Sequence, residues 1–164
     1  MFQPGEEVLA GAKCMVEAGI LENPHVDAAM GAHMIPMIPV GLGGYGTGVA
    51  SASSDHLFIK IEGKGGHGAH PHTAVDPINI GVHIHLALQE LISREVDPAE
   101  RVVLTFGKFQ GGEAANIIPA SVVMEGTLRT FNEALRARLL ERIQAVCTHT
   151  AQAFRGRARV AEGG

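Results

Sequence analysis

The segment HLFIKIEGKGGHGAHPHTAVDPINIG, residues 56 to 81, sets the architecture of this chain, because it joins a strand pattern to a helix pattern through a glycine-rich loop. Over 56 to 62, leucine and isoleucine alternate with polar or aromatic residues, which predicts a strand with one buried face. The next ten residues, 63 to 72, form a loop that is rich in glycine and histidine.

The segment from 76 to 96 carries two apolar patterns at once. From Ile78 to Leu86 every second residue is apolar, as in a strand, whereas Ile80, Ile84 and Leu88 also recur at helical spacing. Because the segment is long and the alternation stops after Leu86, it predicts one helix.

The rest of the chain completes a recognisable order of elements. Strands are predicted at 102 to 109 and 122 to 129, paired as an antiparallel hairpin with a long, glycine- and proline-containing connection. Asn132 is the expected N-cap of a long amphipathic helix, and 158 to 161 forms a last short strand. The resulting β-α-β-β-α-β order is that of a ferredoxin-like fold.

Residues 1 to 50 differ in composition from the remainder of the chain. They are rich in Gly, Pro and Met, contain a predicted helix at 7 to 19 that stops at Gly19, and close with a glycine run at 41 to 48. We therefore place a domain boundary near residue 50, with the ferredoxin-like domain at 51 to 164. Its last strand is expected to be incomplete.

Composition excludes several classes of function. The 164 residues carry a formal net charge of -4, with lysine and arginine dispersed, which argues against a nucleic-acid partner. No apolar run reaches the ~18 residues of a membrane span, and no secretory leader is recognisable. Cys14 and Cys147 are isolated, which predicts two reduced thiols in a cytoplasmic protein.

Two adjacent carboxylates, Glu6 and Glu7, follow a turn signal at the start of the first predicted helix. A helix N-terminus favours negative charge, which can account for the pair structurally. Alternatively, one carboxylate binds a metal ion while the other accepts a proton from metal-bound water. His33, predicted at the end of a short strand, is either a further ligand or a core histidine.

Three histidines, His67, His70 and His72, lie in the glycine-rich loop. The loop lacks the spacing of phosphate-binding motifs, so we exclude nucleotide binding. A zinc site made of the three histidines is a weaker hypothesis, because Pro71 stiffens the loop and no Cys or carboxylate stands nearby. The simpler interpretation is a single functional histidine on a mobile glycine loop.

Five segments together resemble the metal-dependent amidohydrolase family that includes hippurate hydrolase, N-acyl-amino-acid amidohydrolases, aminoacylase and the plant auxin-conjugate hydrolases. They are FQPGEE at 2 to 7, GAH at 31 to 33, SSDHLFIKIEGKGGHGAHPHTAVDPI at 53 to 78, GGEAANIIP at 111 to 119 and GTLRTF at 126 to 131. The resemblance implies an α/β catalytic domain with two divalent metal ions, zinc or manganese, and a ferredoxin-like satellite domain that mediates homodimerisation.

The resemblance also implies roles for individual residues. Glu6 matches the general base, and Glu7 and His33 match metal ligands. His67 matches the histidine that stabilises the oxyanion in the partner subunit's active site. Asn116 and Arg129 match substrate-contacting positions, although Arg129 could equally form a cross-strand ion pair. Arginine offers a bidentate fork for the carboxylate of an N-acyl amino acid.

The family's other metal ligands have no counterpart in this sequence. We therefore expect a fragment of an amidohydrolase of N-acyl amino acids, with part of the α/β metallopeptidase-like catalytic domain at 1 to 50, and we expect the chain alone to be inactive. The alternative is a non-catalytic dimerisation module with the same ferredoxin-like fold.

Overall fold

The computed structural model describes residues 4–5 and 11–163 and divides the chain into two compact units. The first unit ends at Gly48, and the second spans Val49–Gly163. Within the described part of the chain, no helix is both long and apolar enough to pass through a lipid bilayer.

The first unit contains helix α1, described over Gly11–Glu17. Glu6 and Glu7, and with them the predicted start of this helix, lie outside the described residues. The helix ends at Glu17, two residues before the predicted stop at Gly19, whose φ is +76°. The amide of Gly19 donates to the carbonyl of Val16 and that of Ile20 to Met15, so glycine closes the last turn.

The predicted short strand before His33 is wrong. Residues 28 to 35 form neither strand nor helix, and no strand in the described part of the chain pairs with them. An extended apolar segment becomes a strand only where a neighbouring strand satisfies its amides and carbonyls. The residues around His33 are correspondingly exposed.

The second unit is a four-stranded antiparallel sheet with two helices. The strands of the sheet are β1 (Asp55–Glu62), β3 (Val102–Gln110), β5 (Ser121–Thr130) and β6 (Arg157–Gly163), and the helices are α2 (Pro77–Glu90) and α3 (Glu133–Ala153). The order across the sheet is β3-β5-β1-β6. This is the ferredoxin-like arrangement, so the predicted fold class is confirmed.

Both helices pack on one face of the sheet. Leu57, Ile59 and Ile61 of β1 are fully buried, and the residues between them are exposed or half-buried, as the alternation predicted. In α2 the buried residues follow the helical spacing, not the alternating one. The core shared by the two helices and the sheet includes Ile80, Ile84, Leu88, Met124, Leu128, Leu139, Ile143 and Cys147.

The ends of the helices follow from side-chain caps. The Asp76 carboxylate accepts hydrogen bonds from the amides of Ile78 and Asn79, and Asn132 accepts from Leu135, which confirms the predicted N-cap of α3. After Glu90 the helix widens into a π-helical turn, Leu91–Glu95, so the predicted helix to 96 is continued in altered form.

The last strand is longer than predicted. β6 runs over Arg157–Gly163, not 158 to 161, and pairs with β1 from His56 to Glu62. The residues that the prediction missed are Arg157 at the start and Glu162 and Gly163 at the end, which carry no strand signal in the sequence.

Candidate functional site

A second, two-stranded sheet brings together two residues that the sequence keeps 49 positions apart. Strand β2 (Gly66–His67) pairs with β4 (Ile117–Ile118), so that His67 faces Ile117 across the ladder. Just beyond it, the amide of Gly68 donates to the carbonyl oxygen of Asn116 at 2.8 Å. We call this end of the ribbon, with His67 and Asn116, the His67–Asn116 tip.

The loop that carries His67 is tied down on both sides. Lys64 and Val75 exchange backbone hydrogen bonds of 2.8 and 3.0 Å, and the amide of Gly63 donates to Ala120. A Cβ atom on Gly63 would lie 2.2 Å from the carbonyl oxygen of Val75. The glycines of this loop therefore allow a close backbone approach, and these contacts argue against the loop mobility that we expected.

The side chain of His67 is solvent-exposed and its tautomer is set locally. Its Nδ1 accepts a hydrogen bond from the backbone amide of Ala69 at 3.1 Å. The neutral ring therefore carries its proton on Nε2, which leaves an N–H donor available to a ligand. Asn116 is exposed beside it and its side-chain amide offers two further donors.

The other two histidines of the loop do not form a metal site with His67. The ring centroids of His67 and His70 are 5.7 Å apart, and those of His70 and His72 are 6.1 Å apart. Across residues 11 to 163 no three His, Cys, Asp or Glu side chains are arranged to hold a metal ion. The geometry thus gives no support to the three-histidine zinc hypothesis.

Arg129 lies on the exposed side of β5, opposite Val103 of β3. It forms no ion pair with any described residue, so the cross-strand ion pair considered for it is absent. Eight steps of extended strand, about 26 Å, separate it from Ser121, which follows the ribbon strand β4 after two residues.

His33 belongs to the first unit and is exposed. Its Nδ1 lies 2.9 Å from the carbonyl oxygen of Met34, and since a carbonyl only accepts, Nδ1 carries the proton. The lone pair of Nε2 is left for a ligand, which is how metal-binding histidines are commonly oriented.

Sequence reasoning missed a cleft beside the His67–Asn116 tip. Gly68, the turn from Gly111 to Pro119 and the start of α2 line it. The Gly111-Gly112 pair was the signal in the sequence that could have indicated the cleft. It was interpreted only as an interruption between two strands. Gly112 has a φ of +83° and makes the turn that shapes the cleft.

Comparison with known proteins places the chain in a family. A model described as the peptidase dimerisation domain of M20 matches residues 49–154. This chain belongs to the M20 family. The N-acetyl-L-cysteine deacetylase of Bacillus subtilis (strain 168) is 42% identical over 160 residues, which cover 98% of this chain and 38% of that protein.

Two further matches support membership of this family. The N-acyl-L-amino acid amidohydrolase of Geobacillus stearothermophilus is 43% identical over 137 residues, 83% of this chain and 36% of that protein. The crystal structure of the Bacillus subtilis YXEP protein, described as a dinuclear metal binding peptidase from the M20 family, matches with a TM-score of 0.74 and 33% identity. The match covers 99% of this chain and 39% of that one. The chain thus spans less than two fifths of each of these proteins.

Proposed function

We propose that this chain is a section of an M20 amidohydrolase that hydrolyses the amide bond of N-acyl amino acids. The observation that carries the proposal is the β2–β4 ribbon, which pairs the backbone of His67 and Gly68 with that of Ile117 and Asn116 and leaves Nε2–H of His67 as a donor. Two exposed donors on a rigid support suit an oxyanion, because preorganised donors stabilise charge that develops in the transition state. The names of the two relatives support N-acyl amino acids as the substrate class.

The position of Arg129 supports a site shared between two subunits. An N-acyl amino acid is short compared with the about 26 Å of extended strand between Ser121, which follows the ribbon in the chain, and Arg129. In a homodimer, the tip of one subunit would stabilise the oxyanion while Arg129 of the other bound the substrate carboxylate. Glu6 is proposed as the general base of that site.

The proposed cofactor is a pair of divalent metal ions, zinc or manganese, which would polarise the amide and activate water when bound. Glu7 and His33 are the ligands we assign to this chain. The described residues do not form the centre by themselves, since they contain no group of three ligands. We therefore expect the 164-residue chain alone to bind metal weakly and to be inactive, and we infer a cytoplasmic location, in keeping with its two free cysteines.

A graft tests the catalytic proposal. This chain replaces the matching segment of the Bacillus subtilis deacetylase, and turnover of N-acetyl-L-cysteine is measured. We expect turnover in the graft and a loss of about 10² to 10³ in kcat with His67→Ala, the cost of removing one oxyanion donor. His70→Ala, in the same loop and equally exposed, is the matched control and should change kcat less than about twofold.

The second candidate, a non-catalytic dimerisation module, is favoured by an apolar surface. Strand β3 is an edge of the main sheet, and Phe109, which lies opposite Met124 on the face that carries the helices, is 43% exposed. The adjacent helix α2 exposes Val82 and Leu86. It packs close to β3, because a Cβ atom on Gly81 would lie 2.7 Å from the Phe109 ring. The opposite edge, β6, carries Arg157 and Arg159.

A second copy of the chain fits this surface. An antiparallel edge strand can pair with its own twofold copy, which closes the assembly and removes the open edge. Sedimentation of the 164-residue chain should give a dimer, and Leu86→Asp should give a monomer. Ala137→Asp adds the same charge to the exposed face of α3 and should leave the dimer intact. Dimerisation of the chain together with an inactive graft would favour the module over the enzyme.

A further inference from the structure

The cleft beside the His67–Asn116 tip has a volume of about 420 Å³. It is contiguous with the tip along the chain, because Gly68 directly follows His67 and two other lining residues, Ala115 and Ile117, flank Asn116. The cleft therefore borders the two chain segments that carry the tip. The volume lies within the range of about 300 to 1,000 Å³ that is usual for small-molecule sites.

The walls of the cleft are apolar in part, and two of the apolar side chains are open to solvent. Ile78 and Ile117, which face it, are 36% and 55% exposed. A Cβ atom on Gly112 would lie 3.5 Å from Ile78 and 4.0 Å from Pro119, so the glycine keeps the space between these two side chains free. Apolar walls that are in contact with water gain free energy when an apolar group covers them.

The charge of the cleft is of one sign. Of the residues that line it, the charged ones are Asp76 and Glu113, both acidic. The Asp76 carboxylate already caps α2 by accepting from Ile78 and Asn79, which occupies amides that could otherwise bind an anion. The cleft therefore disfavours the carboxylate end of an N-acyl amino acid.

We infer that this cleft receives the acyl group of the substrate, and that it selects an aromatic or branched apolar acyl group over acetyl. The inference rests on the proposed amide hydrolysis and adds the orientation: the acyl end enters the cleft and the carboxylate lies away from it. Acetyl would leave most of the volume empty and the exposed isoleucine side chains uncovered.

Binding to the chain itself tests the cleft without turnover. Backbone amide signals of Gly68, Gly112 and Ile117 are followed by NMR while the 164-residue chain is titrated with benzamide, acetamide or benzoate. We expect benzamide to shift these signals with an affinity at least about tenfold above that of the smaller amide or of the anion. Equal affinity for benzamide and acetamide, or no shift of these signals, would overturn the inference.

A matched pair of variants ties the binding to the cleft. Ala114→Trp fills it, whereas Ala137→Trp adds the same ring to the exposed face of α3. Benzamide binding should disappear with the first and persist with the second, and binding that survives Ala114→Trp contradicts the assignment. In addition, Glu113→Lys should raise the affinity for benzoate at least about threefold by removing like-charge repulsion, and an unchanged affinity would refute the charge argument.

The grafted enzyme separates this inference from the proposed function. With an active graft, Ala114→Trp should lower kcat/KM for N-benzoyl-L-cysteine at least about tenfold more than for N-acetyl-L-cysteine, with His67 untouched. If the graft is active and Ala114→Trp leaves its ratio of kcat/KM for the two substrates unchanged, the inference about the cleft is wrong and the proposed function stands. An inactive graft would sink the proposed function, and the assignment of the cleft to an acyl group would fall with it even if benzamide bound.

Discussion

Asp55 and Arg136 form the most buried ion pair among the described residues. The Asp55 side chain is 9% exposed, and the Arg136 guanidinium donates to both of its oxygens, with Nε to Oδ2 at 2.8 Å. The bonds to Asp55 and then to Glu133 raise the pKa of Arg136 further above its ordinary value, so the arginine stays charged at every working pH. The pair connects the start of β1 to the first turn of α3.

Breaking this pair on one side should be costly. Arg136→Met leaves the buried Asp55 carboxylate without its partner, and we expect the free energy of unfolding to fall by about 3 to 5 kcal/mol in urea titrations. The double variant Asp55→Asn, Arg136→Met removes both charges and should recover more than half of that loss. A single variant as stable as the original chain would show that the pair contributes little.

Cys147 differs sharply from Cys14. Cys147 is fully buried in α3, and burial raises the pKa of its thiol to about 12, whereas Cys14 is exposed on α1. At pH 9 we expect an alkylating reagent to label Cys14 in the folded chain and to label Cys147 only in urea. Mass spectrometry gives both rates, and equal labelling of the two thiols without urea would contradict the packing of α3.

The raised pKa of the Cys147 thiol makes the free energy of unfolding depend on pH in the alkaline range. Below the ordinary thiol pKa of about 8.5, the folded and unfolded chains both keep the proton. As the pH rises from there towards 12, only the unfolded chain releases it, so the free energy of unfolding falls. Cys147→Val should make that decline shallower. Urea titrations of both proteins at pH 8 and at pH 10 measure the difference.

At the scale of elements, the strong periodic signals in the sequence predicted most of the second unit. The fully buried alternate residues of β1 and the apolar stripe of α3 were visible because each is long enough to show its period. For α2, the length of the segment and the end of the apolar alternation after Leu86 favoured a helix over a strand. The prediction of β6 left out Arg157, Glu162 and Gly163, because terminal polar residues and glycine at a sheet edge resemble a loop.

The candidate site was predictable only in part. The residues of the His67–Asn116 tip were assigned by resemblance to a family, whereas their proximity depends on two strands of two residues each. Such strands have no period to detect, and their pairing is a long-range contact. The cleft was missed for the same reason, since its walls come from the ribbon, a turn and the start of α2.

The close packing of the ribbon loop yields a prediction at this scale. A Cβ atom on Gly63 would meet the Val75 carbonyl at 2.2 Å, whereas one on Gly107, at the bulge of β3, would meet open space. Gly63→Ala should lower the free energy of unfolding by about 1 to 3 kcal/mol. Gly107→Ala is the control and should stay within about 0.5 kcal/mol in the same urea titration. Equal effects would mean that the loop is looser than described.

At the scale of the whole molecule, the account depends on which subunit supplies each part of the proposed site. Arg129 lies near the end of β5, whereas the ribbon with the tip precedes the start of that strand, and Glu6 precedes the dimerisation domain that matches from residue 49. In the proposed arrangement two chains are needed for one site, and the proposed dimer surface on β3 and α2 would serve catalysis as well as assembly.

Complementation between two inactive subunits tests this claim most directly. Grafts with Glu6→Gln and with His67→Ala are co-expressed under two different affinity tags, and the heterodimer is purified through both. If His67 acts in the partner's site, one of the two sites contains an intact Glu6 and an intact His67, and turnover should return to about half of that of the unsubstituted dimer. A heterodimer no more active than the two single-variant homodimers would contradict the account, because it would place Glu6 and His67 in the same subunit's site.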